Sequence, residues 1–226
     1  MPLSIHRWPV RVGGETGAAP VAEGAEMSRI IAVEHLTLDG VMQAPGRADE
    51  DTRDGFPHGG WAHRHADPEQ AQFMGRHMAA NRGALLLGRR TYEDFAGYWP
   101  RQTGDPMAEA LDKTEKIVAS RTGSGPLAWQ NSTWLGGDAA TAVPELRRRQ
   151  PDRNLVVLGS GELVRSLLRH DLIDEYLLLI HPLVLGTGRR LFDGVEPVGL
   201  RPVETVVTGA GVVITTYRRG GERTNR

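Results

Sequence analysis

Asn154 to Phe192, NLVVLGSGELVRSLLRHDLIDEYLLLIHPLVLGTGRRLF, is the stretch whose reading decides the fold. The apolar run Leu155-Val156-Val157-Leu158 reads as a buried strand. It breaks at Gly159-Ser160-Gly161, where glycine permits a tight turn and the close approach of a ligand. Leu163, Val164, Leu167 and Leu168 then recur on one helical face, with Arg165, Ser166 and Arg169 on the other, which predicts a short amphipathic helix. Tyr176-Leu177-Leu178-Leu179-Ile180 restores the strand signal. The segment between the two runs is long enough for a crossover, so the strands are expected to be parallel neighbours. The result is a βαβ unit with its glycine turn at the carboxyl end of a strand, where open α/β sheets bind ligands. The free N–H groups and partial positive charge of such a helix start favour a phosphate.

The turn does not complete the dinucleotide fingerprint, because Val164 stands where the third glycine belongs and the second strand ends in His181-Pro182 rather than an acid. Composition narrows the choice from the other side. The 226 residues are 39% hydrophobic and 24% charged, ordinary for one soluble domain or two small ones, and can bury a substantial core. A net charge of -1 gives no global field to draw in nucleic acid or an anionic membrane. The absence of cysteine removes disulfides, thiolate nucleophiles and zinc-thiolate sites, and fits a cytoplasmic location. Lys113 and Lys116 are the only lysines, so a Schiff base has few candidates. No apolar run is long enough to span a bilayer.

Outward from the deciding stretch, residues 1–26 carry no sustained periodicity and are expected to form a disordered or loosely attached extension, with Met27 a candidate natural start and residues 221–226 a tail. Residues 27–220 are expected to form the folded domain. Ile30 to Leu38 reads as a buried first strand ending at Asp39-Gly40. Gln43 to His65 is long for a loop, which predicts a lid or binding loop in which Trp61 could cover a ligand. His63-x-His65 could bind metal on an extended chain, but it lacks a third ligand. Asp67 and Pro68 mark a helix start. Ala84 to Leu87 is a second strand, breaking at Gly88-Arg89-Arg90-Thr91, with Thr91 a candidate cap for a helix that Tyr98-Trp99-Pro100 closes. Pro106 to Lys113 reads as a helix, Lys116 to Ser120 as a strand ending in Ser120-Arg121-Thr122, Asn131 to Leu135 as a strand and Ala139 to Gln150 as a helix. The strand from Tyr176 is expected to continue to Leu185, with Pro182 marking an edge or a bend. Val203–Val207 and Val212–Tyr217 predict a hairpin. The sum is a three-layer α/β/α architecture: a mostly parallel sheet, helices on both faces and a C-terminal antiparallel pair.

Gly88-Arg89-Arg90-Thr91, Ser120-Arg121-Thr122 and Gly159-Ser160-Gly161, with Leu38-Asp39-Gly40, resemble in order and spacing the dihydrofolate reductase-like fold. The similarity is to the C-terminal reductase domain of bifunctional riboflavin-biosynthesis enzymes, in a stand-alone bacterial form. It covers about residues 28–218, and its most specific part is the deciding stretch with its Gly-Thr-Gly-Arg-Arg-Leu-Phe tail. The resemblance implies NADPH as cofactor and a small conjugated substrate of pteridine or aminopyrimidine type. By position it implies that Gly88, Arg89 and Thr91 contact phosphates, and that Ser120 and Arg121 hold the adenosine 2′-phosphate, guanidinium suiting that dianion. Gly159, Ser160, Gly161, Glu162 and Leu163 would receive the pyrophosphate, with Leu38 and Gly40 beside the nicotinamide. In this fold two adjacent glycines usually meet across a cis peptide where this chain has Gly159-Ser160. Asp39 is nominated as the substrate-orienting or proton-relaying residue, and Trp61, Tyr98 and Trp99 as pocket walls. Nothing matches the deaminase half of those enzymes, whose zinc site needs Cys and His.

An NADPH-binding module without turnover is the alternative reading, and a metal-dependent hydrolase built on His63 and His65 a third. A homodimer is expected from the resemblance, and an exposed apolar strand near Tyr176–Leu185 would favour one, with the interface left open by the sequence.

Overall fold

The computed structural model describes residues 28–220. The expected extension, Met27 and the tail 221–226 lie outside the described residues. In chain order the strands are β1 (Ile30–Thr37), β2 (Gly83–Gly88), β3 (Lys116–Ala119), β4 (Ser132–Trp134), β5 (Asn154–Leu158), β6 (Glu175–His181), β7 (Leu200–Val207) and β8 (Val213–Arg219). The helices are α1 (Pro68–Ala80), α2 (Arg89–Tyr98), α3 (Pro106–Lys113), α4 (Ala139–Arg149) and α5 (Gly161–Arg169). The strands form one eight-stranded sheet in the order β4-β3-β2-β5-β1-β6-β8-β7. Every pairing from β4 to β6 is parallel, while β8 runs antiparallel to both β6 and β7.

Strand alternation builds the three layers. Ile30, Ala32 and Leu36 face one side and pack with Val143 of α4 and Leu163, Val164, Leu167 and Leu168 of α5. Ile31 and Val33 face the other, against Phe73 and Met74 of α1. Leu85 and Leu87 of β2 join Tyr92 of α2 and Leu111 of α3 on that second side. The four buried apolar side chains of α5 contribute roughly 1.5–3 kcal/mol each. That is ample to dock a helix too short to stand alone.

Four expectations are corrected here. Strands β5 and β6 are parallel but are not neighbours: β1 lies between them, paired to β5 through Val33 and Leu158 and to β6 through Thr37 and His181. The sixth strand ends at His181 rather than Leu185, because Pro182 has no N–H for the ladder and turns the chain, so it marks a bend and not an edge. Residues Tyr176 to Leu179 are buried inside the sheet, which leaves that strand no free edge for a dimer. Thr91 likewise caps nothing; α2 starts at Arg89 after an N-cap glycine, Gly88.

Candidate functional site

Because β1, β2, β3 and β5 run parallel, the four stretches that follow them emerge on one rim of the sheet. Hydrogen bonds join the ends of β1, β2 and β5 there. The Gly159 N–H donates to the Val33 carbonyl at 3.1 Å, and the Gly88 N–H donates to Ser160 Oγ at 3.0 Å. A Cβ on Gly159 would lie 3.6 Å from the Thr91 methyl. Gly159 and Ser160 both take left-handed backbone, at φ 60° and 66°, and the described residues contain no cis peptide. For Ser160 that conformation costs on the order of 1–2 kcal/mol. Gly161 lies beneath Met42, whose Sδ would sit 2.0 Å from any Cβ added there, so a larger residue would have to displace the methionine side chain.

The helix starts at this rim differ from the others. Asp67, Asp105 and Asp138 cap α1, α3 and α4 with side-chain oxygens, whereas α2 and α5 begin at Gly88 and Ser160 with no side-chain cap. Their first N–H groups are left to an outside acceptor, and the helix dipoles favour an anion. Arg89 pairs with Glu93 at 2.7 Å. Arg90 and Arg121 are exposed and make no hydrogen bond or ion pair among the described residues. Ser120 Oγ accepts from the Thr122 N–H at 3.3 Å. Glu162 is exposed and paired with Arg165 at 2.5 Å and Arg189 at 3.2 Å, while Leu163 is turned into the core. Leu38 is 64% exposed and Gly40 takes φ 80°. A cleft of about 530 Å³ runs between α2 and the segment after β3, lined in part by Arg89, Tyr92, Thr122, Gly123 and Trp134.

Asp39 is committed to the backbone of a neighbouring loop. It accepts from the Thr37 hydroxyl at 2.6 Å, the Leu185 N–H at 3.2 Å and the Gly186 N–H at 2.9 Å. Arg190 lies 3.4 Å away. Desolvation acts to raise its pKa, but the bonds from Thr37, Gly186 and Leu185 together outweigh it and hold the carboxyl at about 2. Asp39 therefore carries no proton to donate at neutral pH. Gln43 sutures the same region, donating to the carbonyls of Asp51 and Arg53 and accepting from the Arg189 N–H and, through its own carbonyl, from the Trp61 indole.

That suture explains the loop from Gln43 to His65, which holds two short 3-10 helices and a small core of Val41, Ala44, Phe56 and Trp61. Trp61 is 4% exposed and meets His181 edge-on at 5.1 Å. Tyr98 and Trp99 touch each other at 5.2 Å, and Arg47 of the loop sits 4.5 Å over the Tyr98 ring. The three aromatics are thus not brought together: Trp61 packs at the end of β6, the other two at the end of α2. Among the described residues no group of three or more His, Asp or Glu side chains could hold a metal. Lys116 spends its three N–H groups on the carbonyls of Asp112, Thr114 and Gln130.

Two polar features of β1 escaped the sequence reading, although an acid and a histidine inside IIAVEHLTL are a legible signal. His35 Nδ1 and His181 Nε2 lie 2.9 Å apart. Burial lowers His35 to about 4, with His63 adding to the effect; burial, then His35 and His65, lower His181 to about 3. Both are neutral at pH 7. Glu34 is 3% exposed, and its Oε1 has no partner. Burial pushes it up to about 8, Glu50 adding and Arg165 opposing. A glycine cradle, two uncapped helix starts, two unpaired guanidiniums and one orphaned buried carboxyl oxygen at a single rim fit a phosphorylated dinucleotide.

Known proteins bear on this geometry. The chain is 28% identical over 143 residues to the uncharacterized protein YyaP of Bacillus subtilis (strain 168), spanning 61% of this chain and 74% of that one. Its fold is similar to that of a riboflavin biosynthesis-type protein from Shewanella sp. PV-4, at a TM-score of 0.66 and 20% identity, covering 85% and 99% of the two chains. It is also similar to dihydrofolate reductase from Enterococcus faecalis, whose structure is a complex with NADP(H), at a TM-score of 0.53 and 15% identity over 85% and 98%. The model of the RibD C-terminal domain matches residues 28–214, nearly all of the described chain, so the protein belongs to the RibD C-terminal domain family.

Proposed function

We propose that the protein is an NADPH-dependent oxidoreductase that delivers hydride to a small conjugated heterocycle of pteridine or aminopyrimidine type. The observation that carries this reading is the meeting, on one rim, of two helix starts without side-chain caps and two unpaired arginines. Family membership supports a reductase of the riboflavin-biosynthesis kind. In this reading Gly88, Arg89 and Thr91 with Gly159 to Leu163 hold the phosphates. Ser120, Arg121 and the neighbouring Arg90 take the 2′-phosphate, and Leu38 and Gly40 border the nicotinamide end.

The cofactor, when bound, supplies the hydride. The chain supplies position. Met42 packs over Gly161 at the start of α5. Asp39 fixes the 183–190 loop beside the rim and orients rather than protonates. The proton that accompanies the hydride to the substrate then comes from another source, bulk water or a substrate group, since His35 and His181 are also uncharged at pH 7.

Loss of NADPH absorbance with a panel of pterins and aminopyrimidines tests the reading directly, and Arg121→Ala tests the 2′-phosphate assignment. NADPH binding should weaken roughly tenfold or more and NADH binding little, as expected for the loss of a charge-assisted bidentate contact. Binding without turnover across the panel would reduce the protein to a cofactor-binding module. Equal losses for both cofactors would remove Arg121 from the site.

A further inference from the structure

One buried group has no role in that account. Glu34 follows Val33, whose carbonyl receives the Gly159 N–H, so its side chain leaves β1 beside the glycine turn. Alternation with Ile30, Ala32 and Leu36 sends it to the α5 face, where Leu163 and Val164 of the first turn pack. The charged groups acting on it are Arg165 of α5 and Glu50 of the 43–65 loop. Arg165 is already engaged, donating to the Arg190 carbonyl at 2.8 Å and to Glu162 at 2.5 Å. Glu50 is occupied with the N–H groups of Gly46 and Arg47. Glu34 Oε1 is left buried and unpartnered. An acid there costs stability unless something completes its hydrogen bonds.

The chemistry of the missing partner can be read from the acid. A neutral carboxyl offers one O–H donor and one carbonyl acceptor side by side. Its complement is a primary amide, which offers an acceptor oxygen beside an N–H donor. A charged partner would instead ionise the acid, and its burial disfavours that form.

We propose that Glu34 is the positioning residue for the carboxamide of a bound nicotinamide, its O–H donating to the carboxamide oxygen and its carbonyl oxygen accepting from the carboxamide NH2. The assignment rests on the cofactor reading above and adds a side-chain determinant for which face and rotation of the ring meet the substrate.

Equilibrium binding to the full chain separates the two ideas. The probes are NADPH, the 3-acetylpyridine analogue of NADPH, which lacks the amide N–H, and 2′-phospho-ADP-ribose, which lacks the ring. The wild-type protein should bind the acetyl analogue several-fold more weakly than NADPH. Glu34→Gln keeps a donor and an acceptor and should hold NADPH within about threefold, whereas Glu34→Leu should lose it roughly tenfold or more, the cost of unpaired buried amide groups. All three proteins should bind 2′-phospho-ADP-ribose alike. Equal loss of NADPH and 2′-phospho-ADP-ribose in Glu34→Leu would make Glu34 a structural residue and overturn the assignment. No loss in either variant would overturn it too, while leaving the cofactor reading intact. Wild-type protein that binds none of the three probes would remove both.

Discussion

At the scale of single residues, the carboxylates of this chain divide by their surroundings. Asp39 and Glu34 lie on the same strand and its turn, five positions apart in sequence, yet one is held near pKa 2 by three hydrogen bonds and the other is pushed up to about 8 by burial. For Asp39 the folded pKa lies below its ordinary value of 3.8. Its contribution to stability is therefore present above about pH 4 and lost as pH falls through about 2. Replacing Asp39 by Asn should cost on the order of 1–2 kcal/mol at pH 7, since one amide oxygen cannot serve Thr37, Leu185 and Gly186 together. Urea unfolding of the two proteins at pH 7 and pH 3 checks this. The gap should narrow at pH 3, and a gap of the same size at both would show that the carboxylate charge contributes nothing.

At the scale of elements, the ends of the sheet are held by different means. On the rim opposite the site, Glu175 at the start of β6 joins Arg29 ahead of β1 at 3.0 Å and Arg218 of β8 at 2.8 Å, with His77 of α1 at 3.6 Å. Burial acts against its charge, but His77, Arg218 and Arg29 outweigh it and bring its pKa to about 2. Glu175→Gln strips the charge from a carboxylate 3% exposed that serves Arg29, Arg218 and His77 together, which should cost roughly 3 kcal/mol. Calorimetric unfolding would measure it. NADPH affinity of the folded variant should change less than twofold, because Glu175 and its partners gather at the amino ends of β1 and β6, with β1 standing between β6 and the strand that carries the glycine turn. A matching loss of affinity would mean that the two rims are coupled. Local chemistry made many elements legible in advance: Pro106 to Lys113 matches α3, Asp67 and Pro68 mark the start of α1, and the apolar runs gave β2, β3 and β5 to within a residue or two. What could not be read was non-local. Nothing within Asn154 to His181 says that the strand from Ile30 inserts between its two strands, since that pairing is decided by a segment more than a hundred residues away. Nor could the loop after β1 be read: its order comes from Gln43 meeting Asp51, Arg53, Trp61 and Arg189, polar contacts with no periodicity to betray them. The glycine and arginine turns of the site were visible because each obeys a local rule. Glu34 went unnoticed because one acid in a strand has meaning only once its burial is known.

At the scale of the whole molecule, the charge is almost balanced, at -1, so no long-range field distinguishes a doubly charged 2′-phosphate from a hydroxyl. Under the proposed function, discrimination between NADPH and NADH would then come from guanidiniums within a few ångströms of it, and Arg90 and Arg121 are the ones at the rim that make no hydrogen bond or ion pair among the described residues. In the proposed site NADPH would bind only the assembled rim, so its affinity should appear as global stability. NADPH at about a hundred times its Kd adds roughly 2.7 kcal/mol. For a domain of this size that raises Tm by roughly 5–10 °C. NADH at the same concentration should give a smaller rise, and Arg90→Ala combined with Arg121→Ala should bring the NADPH shift down to that of NADH without altering Tm of the free protein, since neither arginine has a partner to lose. Raising the salt should shrink the NADPH advantage in the wild-type protein but not in the double variant, as exposed charges are screened over about 10 Å at 0.1 M. An NADPH shift that survives both substitutions at low salt would place the 2′-phosphate elsewhere on the molecule.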